Sequence, residues 1–256
     1  MILNTRIISK CEQSNLVDSL PDFHHDFVII HSSFLGIGIP DGGVVYFLDR
    51  LIERIGNKKT ILMPTFNFAN NKIWKCETSR SECGVLTELF RTRKDVSRSI
   101  HPIHSLASYG PRSQEITEHF DLSSFGKSSI WKHLIENENT VNISIGTGWV
   151  GGGTFHHYSE EKMLVPYREF ITLDREVYDC KDSLINCQFK YFANKDKNLY
   201  GNEWSCLLND LLTEGILKRW KINNVQFFLQ DTKEVSSYIQ FKLEKNPYYL
   251  TKYMKK

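Results

Sequence analysis

Hydrophobic and polar positions along the first quarter of the chain predict a strand–helix–strand unit. Residues 27–30 are all apolar, which indicates a buried strand. Between Asp41, a suitable helix N-cap, and Gly56, a suitable C-cap, apolar residues recur every three or four positions, as in an amphipathic helix. Residues 60–63 form a second short apolar strand. Since a helix joins the two strands, we expect them to be parallel neighbours in one sheet.

Later segments extend this pattern. Residues 86–90 have the apolar spacing of a helix, and residues 141–145 form a strand that runs into a glycine-rich stretch at 146–153. Residues 170–192 alternate between apolar and polar, which is typical of antiparallel strands, and residues 204–217 are amphipathic and predicted helical.

These elements predict an α/β fold with a central, mainly parallel sheet flanked by helices and a smaller antiparallel section toward the C-terminus. The length of 256 residues suits one domain over 1–256, with the motifs in a core at 20–168 and a C-terminal portion at 169–256. A polar leader at 1–20 contains at most a short helix.

Composition and charge exclude several classes of protein. Hydrophobic residues make up 41% and aromatic residues 12% of the chain, which is enough to bury a core and excludes a disordered protein. The net charge is only +2 and no basic stripe occurs, so we expect no nucleic-acid partner. No apolar run is long enough to span a bilayer, and the N-terminus lacks a hydrophobic signal core. We therefore expect a cytoplasmic protein without a membrane partner.

The cysteines predict reduced thiols. A protein without a secretory signal is expected to keep its thiols reduced, and the spacings do not match the close pairs of structural zinc sites. The six cysteines are Cys11, Cys76, Cys83, Cys180, Cys187 and Cys206.

Polar side chains suited to chemistry follow the apolar strands directly. His31, Ser32 and Ser33 come after the first strand, and Thr65 and Phe66 after the second. In open α/β sheets the ligand crevice lies outside the carboxyl ends of the strands. We therefore expect these residues to line one cleft, although a half-buried structural histidine would also explain His31.

A second polar segment, residues 98–105, contains two histidines, two serines and an arginine. Such a segment is typical either of a ligand-binding site or of a polar surface loop. The spacing of His101 and His104 also suits a metal ion, but no carboxylate or cysteine of a metal site lies nearby in the sequence. We therefore expect no metal here.

Thr154, His157 and Glu160 are spaced so that a helix would place them on one face. A carboxylate one turn away from an imidazole orients it and stabilises its protonated form. Thr154 suits the helix N-cap, which would aim this face at the glycine-rich stretch. The alternative interpretation is a chance ion pair on a surface helix.

The order of these motifs resembles the aminoglycoside 3-N-acetyltransferase family over about residues 28–168. The motifs are HSS after a strand, GG before a helix, MPTF after the next strand, RSxHPxHS, Gly126-x-Ser128 and TxxHxxE after a glycine run. The resemblance implies an α/β fold in which CoA lies across a cleft and the acceptor amine enters from the other side.

The resemblance also implies roles for individual residues. His157 matches the family's catalytic histidine, with Glu160 as its partner, while the doubled histidine leaves the choice between His156 and His157 open. Residues expected on the acceptor side are His31, Thr154 and His156. Residues implied on the acyl-CoA side are Ser32, Ser33, Thr65, Phe66, Arg98, Ser99, His104 and Ser105. No cysteine lies in these motifs, so we expect direct transfer rather than a covalent acyl-cysteine.

The predicted function is acyl-CoA-dependent N-acylation of an amino sugar, with acyl-CoA as co-substrate. A net charge of +2 favours an anionic acceptor, such as a nucleotide-linked amino-deoxyhexose of surface polysaccharide synthesis, over a polycationic aminoglycoside antibiotic, which is the alternative. The basic residues behind this preference are Arg91, Arg93, Lys94 and Arg98. The acyl group stays open between acetyl and larger groups such as hydroxybutyryl, and the oligomeric state between monomer and homodimer.

Two further hypotheses belong to other classes of protein. A metal-dependent hydrolase would contain zinc or manganese and lose activity with a chelator. A CoA- or sugar-binding protein without catalysis would turn over no acyl-CoA. The ligands of the hydrolase would be His101, His104, His156, His157 and Glu160.

Overall fold

The computed structural model describes residues 6–69, 71–136, 138–149 and 154–253. The helices are α1 (Lys10–Asp18), α2 (Phe34–Ile37), α3 (Gly43–Ile55), α4 (Val85–Arg91), α5 (Ile130–Glu136), α6 (Thr154–Lys162), α7 (Ser205–Thr213) and α8 (Thr232–Lys245), with a 3₁₀ turn at Ser113–Thr117. The strands up to residue 145 are β1 (Ile7–Ile8), β2 (Phe27–Ser32), β3 (Ile39–Pro40), β4 (Thr60–Pro64), β5 (Ile73–Lys75), β6 (Ser97–Arg98), β7 (Leu106–Tyr109) and β8 (Thr140–Ile145). The later strands are β9 (Arg168–Thr172), β10 (Glu176–Tyr178), β11 (Leu184–Ile185), β12 (Lys190–Asn194), β13 (Tyr200–Asn202), β14 (Leu217–Ile222), β15 (Val225–Asp231) and β16 (Thr251–Tyr253).

A seven-stranded sheet in the order β14-β15-β8-β2-β4-β7-β6 forms the centre of the molecule. β2 lies between β4 and β8 and is parallel to both. Antiparallel pairing adds β7 and β6 beyond β4, and β15 and β14 beyond β8. The predicted α/β class and the parallel strand–helix–strand unit are confirmed. The antiparallel pairs β9–β12 and β14–β15 supply the predicted C-terminal section.

Helices cover both faces of this sheet because side chains along its strands alternate between two cores. Ile29 and Leu62 face a core that includes Trp131 of α5 and Phe155 of α6. The next residues along these strands face the opposite core, which α1, α3 and α4 cover. Residues 27–30 are at most 1% exposed, which explains their unbroken apolar run.

Two predicted helix boundaries are wrong, in each case beside a glycine. α3 begins at Gly43 rather than after Asp41, since Gly42 has a φ of 103° that interrupts the helix. The helix predicted over 204–217 ends at Thr213, because Gly215, with a φ of 72°, turns the chain into β14. Among the described residues no helix is both long and apolar enough to cross a bilayer.

Cys76 and Cys180 form a disulfide, which corrects the prediction of six reduced thiols. β5 and β10 pair in parallel register, and the residues that follow them therefore lie side by side. The two Cα atoms are 5.0 Å apart although 104 residues separate them in sequence. Cysteine spacing did not reveal this pair because only the pairing of β5 with β10 brings it together.

Candidate active site

The first turns of α6 contain a histidine–carboxylate pair. Nδ1 of His157 lies 2.7 Å from Oε2 of Glu160, one turn further along the helix. The Glu160 side chain is fully buried, whereas that of His157 keeps 29% of its surface exposed. The imidazole is therefore anchored through Nδ1 and still accessible from outside.

Two residues after α6 hold the other oxygen of Glu160. The Tyr167 hydroxyl donates to Oε1 at 2.6 Å, and Nε of Arg168 forms an ion pair with the same oxygen at 3.0 Å. Burial alone would raise the pKa of Glu160, but His157, Arg168 and Tyr167 together hold that pKa below its usual value. None of the sequence motifs named above includes Tyr167 or Arg168.

His156 occupies a different environment from its neighbour. It is 2% exposed and its ring lies 4.3 Å from that of Trp204. Burial, together with the charge of His157, lowers its pKa well below the usual value, so it remains neutral. Because His157, not His156, bonds to the buried carboxylate, the geometry favours His157 as the base.

A cleft of about 260 Å³ opens where β2 and β4 end. Its lining residues are His31, Ser32, Ser33, Pro64, Phe66, Glu82, Cys83, Thr87 and Thr147. A neighbouring cavity of about 360 Å³ shares Ser32, Ser33, Glu82 and Cys83. The structure therefore brings the residues after both strands together, whereas sequence reasoning missed Glu82 and Cys83 because no motif includes them.

Cys83 places a thiol in a cleft whose motifs contain no cysteine. Its Sγ accepts a hydrogen bond from the Phe66 N–H at 3.3 Å. Burial raises the pKa of this thiol, which keeps it protonated and poorly nucleophilic. Direct transfer thus stays the favoured chemistry.

Two glycines allow the backbone segments that follow β2 and β8 to approach each other closely. A Cβ added to Gly36 would lie 1.9 Å from the carbonyl oxygen of Gly146, so only glycine allows this approach. The contact brings Ser33 and Thr147 into the lining of the same cleft. Thr154, 6% exposed, begins α6 beyond this point, and residues 150–153 of the glycine-rich stretch lie outside the described residues.

Arg98 is buried beneath the cleft, which argues against the predicted contact with a CoA phosphate. Its guanidinium nitrogens donate to oxygens of Thr65, Cys76, Ser79 and Ser105 at 2.6–3.2 Å. Burial and the nearby Arg91 lower its pKa to about 9. All three guanidinium nitrogens are therefore committed to protein oxygens.

Thr65, Ser99 and Ser105 belong to the same internal network. The hydroxyls of Thr65 and Ser105 lie 2.9 Å apart, and Ser99 Oγ accepts from the Leu106 N–H at 2.8 Å. Each of these side chains is at most 1% exposed. Of the residues implied on the acyl-CoA side, Ser32, Ser33 and Phe66 line the cleft. His104 packs against Phe66 with 4.9 Å between ring centroids but does not itself line the cleft, and the other four belong to the internal network.

The histidines proposed as metal ligands do not form a cluster with metal-like spacing. In the described part of the chain, one group of this kind occurs, made by Glu115, His133 and Glu138. Arg112 donates to both carboxylates of that group at 2.6–3.1 Å. The geometry therefore lends no support to the hydrolase hypothesis.

Comparison with known proteins points to one family. The profile of the aminoglycoside 3-N-acetyltransferase family matches residues 29–244. The SPbeta prophage-derived aminoglycoside N(3')-acetyltransferase-like protein YokD of Bacillus subtilis strain 168 is 26% identical over 170 residues, which cover 56% of this chain and 61% of that protein. The match thus spans about three fifths of the relative's length.

Solved structures share the fold. The crystal structure of the aminoglycoside acetyltransferase AAC(3)-Xa has a TM-score of 0.77 at 18% identity, with 93% of each chain covered. The binary complex of AAC-IIIb with CoASH has a TM-score of 0.75 at 16% identity, covering 94% of this chain and 97% of the other. Acetyl-CoA is the co-substrate of this family. With its profile matched over most of its length, the chain belongs to the aminoglycoside 3-N-acetyltransferase family.

Proposed function

We propose that this protein is an acyl-CoA-dependent N-acyltransferase that transfers an acyl group directly to an amino group of an aminoglycoside. The observation that carries the proposal is the His157–Glu160 pair, buried at its carboxylate and open at its imidazole. A base of this kind suits the deprotonation of an amine. The family membership supports the same chemistry.

The histidine orientation defines the path of the proton. With Nδ1–H bonded to Glu160, Nε2 of His157 holds the lone pair that accepts a proton from the attacking amine. The amine nitrogen forms a bond to the thioester carbonyl carbon, and the carbon–sulfur bond breaks. The proton held by His157 then passes to the leaving sulfur of CoA. Glu160 stabilises the transient imidazolium through its negative charge.

The cleft fits the pantetheine arm of an acyl-CoA. Ser32 and Ser33 line both of its cavities, and Phe66 adds an apolar wall. Hydroxyls beside apolar surface match a chain of amides and methylenes. A binary complex of one structural relative with CoASH supports a site of this kind.

The arrangement of charges favours an aminoglycoside over a nucleotide-linked sugar. Arg91 binds Glu88 at 2.7 Å, Arg93 lies 2.9 Å from Asp49, and Arg98 is buried. Most of the basic cluster that suggested an anionic acceptor is therefore already neutralised or inaccessible. The exposed carboxylate of Glu82 lines both cavities described above and a third of about 550 Å³ beside them. A carboxylate in this position suits an ammonium group.

Steady-state kinetics with two acceptors tests this proposal. We expect release of CoA thiol from acetyl-CoA with a 2-deoxystreptamine aminoglycoside, and at least about 10-fold lower kcat/KM with a nucleotide-linked amino-deoxyhexose. Glu82→Gln should raise KM for the aminoglycoside, and Glu115→Gln, far from the cleft, serves as the matched control. The opposite acceptor preference would restore the nucleotide-sugar hypothesis, and inhibition by a chelator would restore the hydrolase.

A further inference from the structure

Three polar side chains outside the His157–Glu160 pair form a chain of hydrogen bonds, and one of them, His104, packs against Phe66 of the cleft lining. Ser124 Oγ lies 2.7 Å from Nδ1 of His104 and 3.4 Å from Nε2 of His101. Ser124 is 2% and His101 6% exposed, so both are shielded from water, whereas His104 is partly exposed. Since each group has few possible partners, the positions of its hydrogens follow from the geometry.

The order of hydrogens begins at His101. Its Nδ1 accepts two backbone N–H groups, from Ile103 at 3.2 Å and from His104 at 3.0 Å. A nitrogen that accepts hydrogen bonds carries no proton, so the neutral ring has its proton on Nε2. Burial lowers the pKa of His101 to about 4, which keeps the ring neutral at physiological pH.

Ser124 transmits this order to His104. Nε2 of His101 is a donor, and the backbone carbonyls of Lys190 and Leu122 are acceptors for this ring. The Ser124 hydroxyl, 3.4 Å away, therefore cannot donate to that nitrogen. The hydroxyl hydrogen is then directed to Nδ1 of His104, and an opposite arrangement would leave it buried without an acceptor. His104 consequently carries its own proton on Nε2.

The surroundings of His104 fix the orientation of its ring and keep the ring neutral. Its ring contacts Phe66 at 4.9 Å and Phe125 at 5.2 Å between centroids, and Trp131 Nε1 donates to its carbonyl at 2.8 Å. Phe66 also lines the cleft. Burial lowers the pKa of His104 well below its usual value, and the positive charge of Arg168 acts in the same direction. No hydrogen-bond partner of Nε2 occurs among the residues that the structure describes.

We propose that His101 and Ser124 are positioning residues that hold His104 as a neutral Nε2–H donor, and that this N–H binds the carbonyl oxygen of the acyl thioester. Negative charge grows on that oxygen while the amine attacks, and a fixed donor stabilises it. His104 transfers no proton, since the proton of the amine goes to His157. The proposal rests on the N-acyltransferase function proposed above.

Nitrogen NMR of the protein labelled at histidine tests the tautomer without requiring activity. We expect His104 to show a protonated Nε2 and an unprotonated Nδ1 between pH 6 and 8, with His104→Gln used to assign the signals. Ser124→Ala should produce a mixture of tautomers. A proton on Nδ1 in the wild type, or titration of His104 in this range, overturns the proposal.

A non-reactive acyl-CoA analogue tests the carbonyl contact. Acetyl-oxa(dethia)-CoA keeps the carbonyl oxygen, and we expect it to shift the Nε2–H resonance of His104, whereas CoA without an acyl group should not. Equal shifts with both ligands, or none with either, contradict the contact. This result is independent of turnover, so it separates failure of the donor from failure of the proposed function.

Kinetics complete the test. His104→Ala should lower kcat by about 10²-fold with KM for acetyl-CoA changed less than about 3-fold, as for loss of one donor to a developing oxyanion. His104→Gln, which keeps an N–H near the same place, should recover at least about 10-fold of this loss. Ser123→Ala is the matched control for Ser124→Ala, since Ser123 bonds to Glu161 rather than to His104. Equal losses in the Ala and Gln variants of His104 would indicate a packing role only.

Discussion

The two histidine-bearing regions of this site use the same side chain in opposite electrostatic settings. On α6, His157 is partly exposed and is held by the ionised carboxylate of Glu160. In the segment at 98–105, His101 and His104 are enclosed by aromatic rings and bonded to backbone and serine groups. A carboxylate prepares an imidazole to accept a proton, whereas burial without a carboxylate keeps it neutral. Environment rather than residue type therefore separates the proposed base from the proposed hydrogen-bond donor.

The same contrast recurs between adjacent carboxylates on α6. Glu160 is ionised, while burial raises the pKa of Glu161 to about 7. Ser123 donates to one oxygen of Glu161, and the backbone of Phe125 also bonds to this carboxyl group. Glu161 thereby links α6 to the loop that contains Ser124. Its protonation can therefore affect the contact between these two regions.

The largest expected effect is on the α6 side of this comparison. His157→Gln removes the proposed base, and kcat should fall by about 10²- to 10⁴-fold. His24→Gln replaces an exposed histidine of the same type far from the cleft and should leave kcat unchanged. Near-normal turnover by His157→Gln would assign the base elsewhere.

Arg98→Met tests whether the internal hydrogen bonds of Arg98 stabilise the fold around the segment at 98–105. The carbonyls of Thr65, Cys76 and Ser79 would lose their donor, and we expect the free energy of unfolding to drop by about 2–3 kcal/mol. Denaturant titration measures the loss, while KM for acetyl-CoA in the folded protein should change little. A large rise in that KM with intact stability would instead support a phosphate contact.

Glu161→Gln tests the contact between the two regions through the pH dependence of the free energy of unfolding. The folded pKa of about 7 lies above the usual value, so the folded state binds more protons between about pH 4.5 and 7. The contribution of Glu161 to wild-type stability should therefore fall as pH rises, by about 2.5 kcal/mol between pH 5 and pH 8. Glu161→Gln should flatten this slope in unfolding measurements at pH 5 and pH 8. Identical slopes in the two proteins would show that Glu161 titrates normally.

Tyr167→Phe has the smallest expected effect, about 1 kcal/mol, because it removes one of several groups on Glu160. Because the pKa of Glu160 is lower in the folded than in the unfolded protein, its ionisation stabilises the fold at any pH above the unfolded pKa. This stabilisation is lost as pH falls through the folded pKa. Loss of the hydroxyl raises that folded pKa, so acid unfolding should begin at higher pH. Tyr253→Phe, on an exposed tyrosine, is the matched control, and an unchanged acid transition in Tyr167→Phe would contradict the assigned contact.

Local patterns were sufficient for the fold class and for the pair on α6. The apolar strands and the amphipathic helix between them each have a pattern that lies within one continuous segment, so the sequence shows them directly. A helix that joins two strands in turn predicts that the strands are parallel. His157 and Glu160 meet because three residues separate them on one helix. The order of the motifs likewise identified the family without any tertiary contact.

Contacts between distant segments could be decided only by the tertiary structure. Tyr167 and Arg168 reach Glu160 through the turn after α6, Cys76 meets Cys180 through the pairing of β5 with β10, and Ser124 meets His104 from a separate loop. Arg98 has the composition of an anion-binding residue, yet its burial commits it to protein oxygens. Hydrogen-bond partners and the extent of burial depend on which distant segments the fold brings together. Such contacts leave no repeating pattern along the sequence.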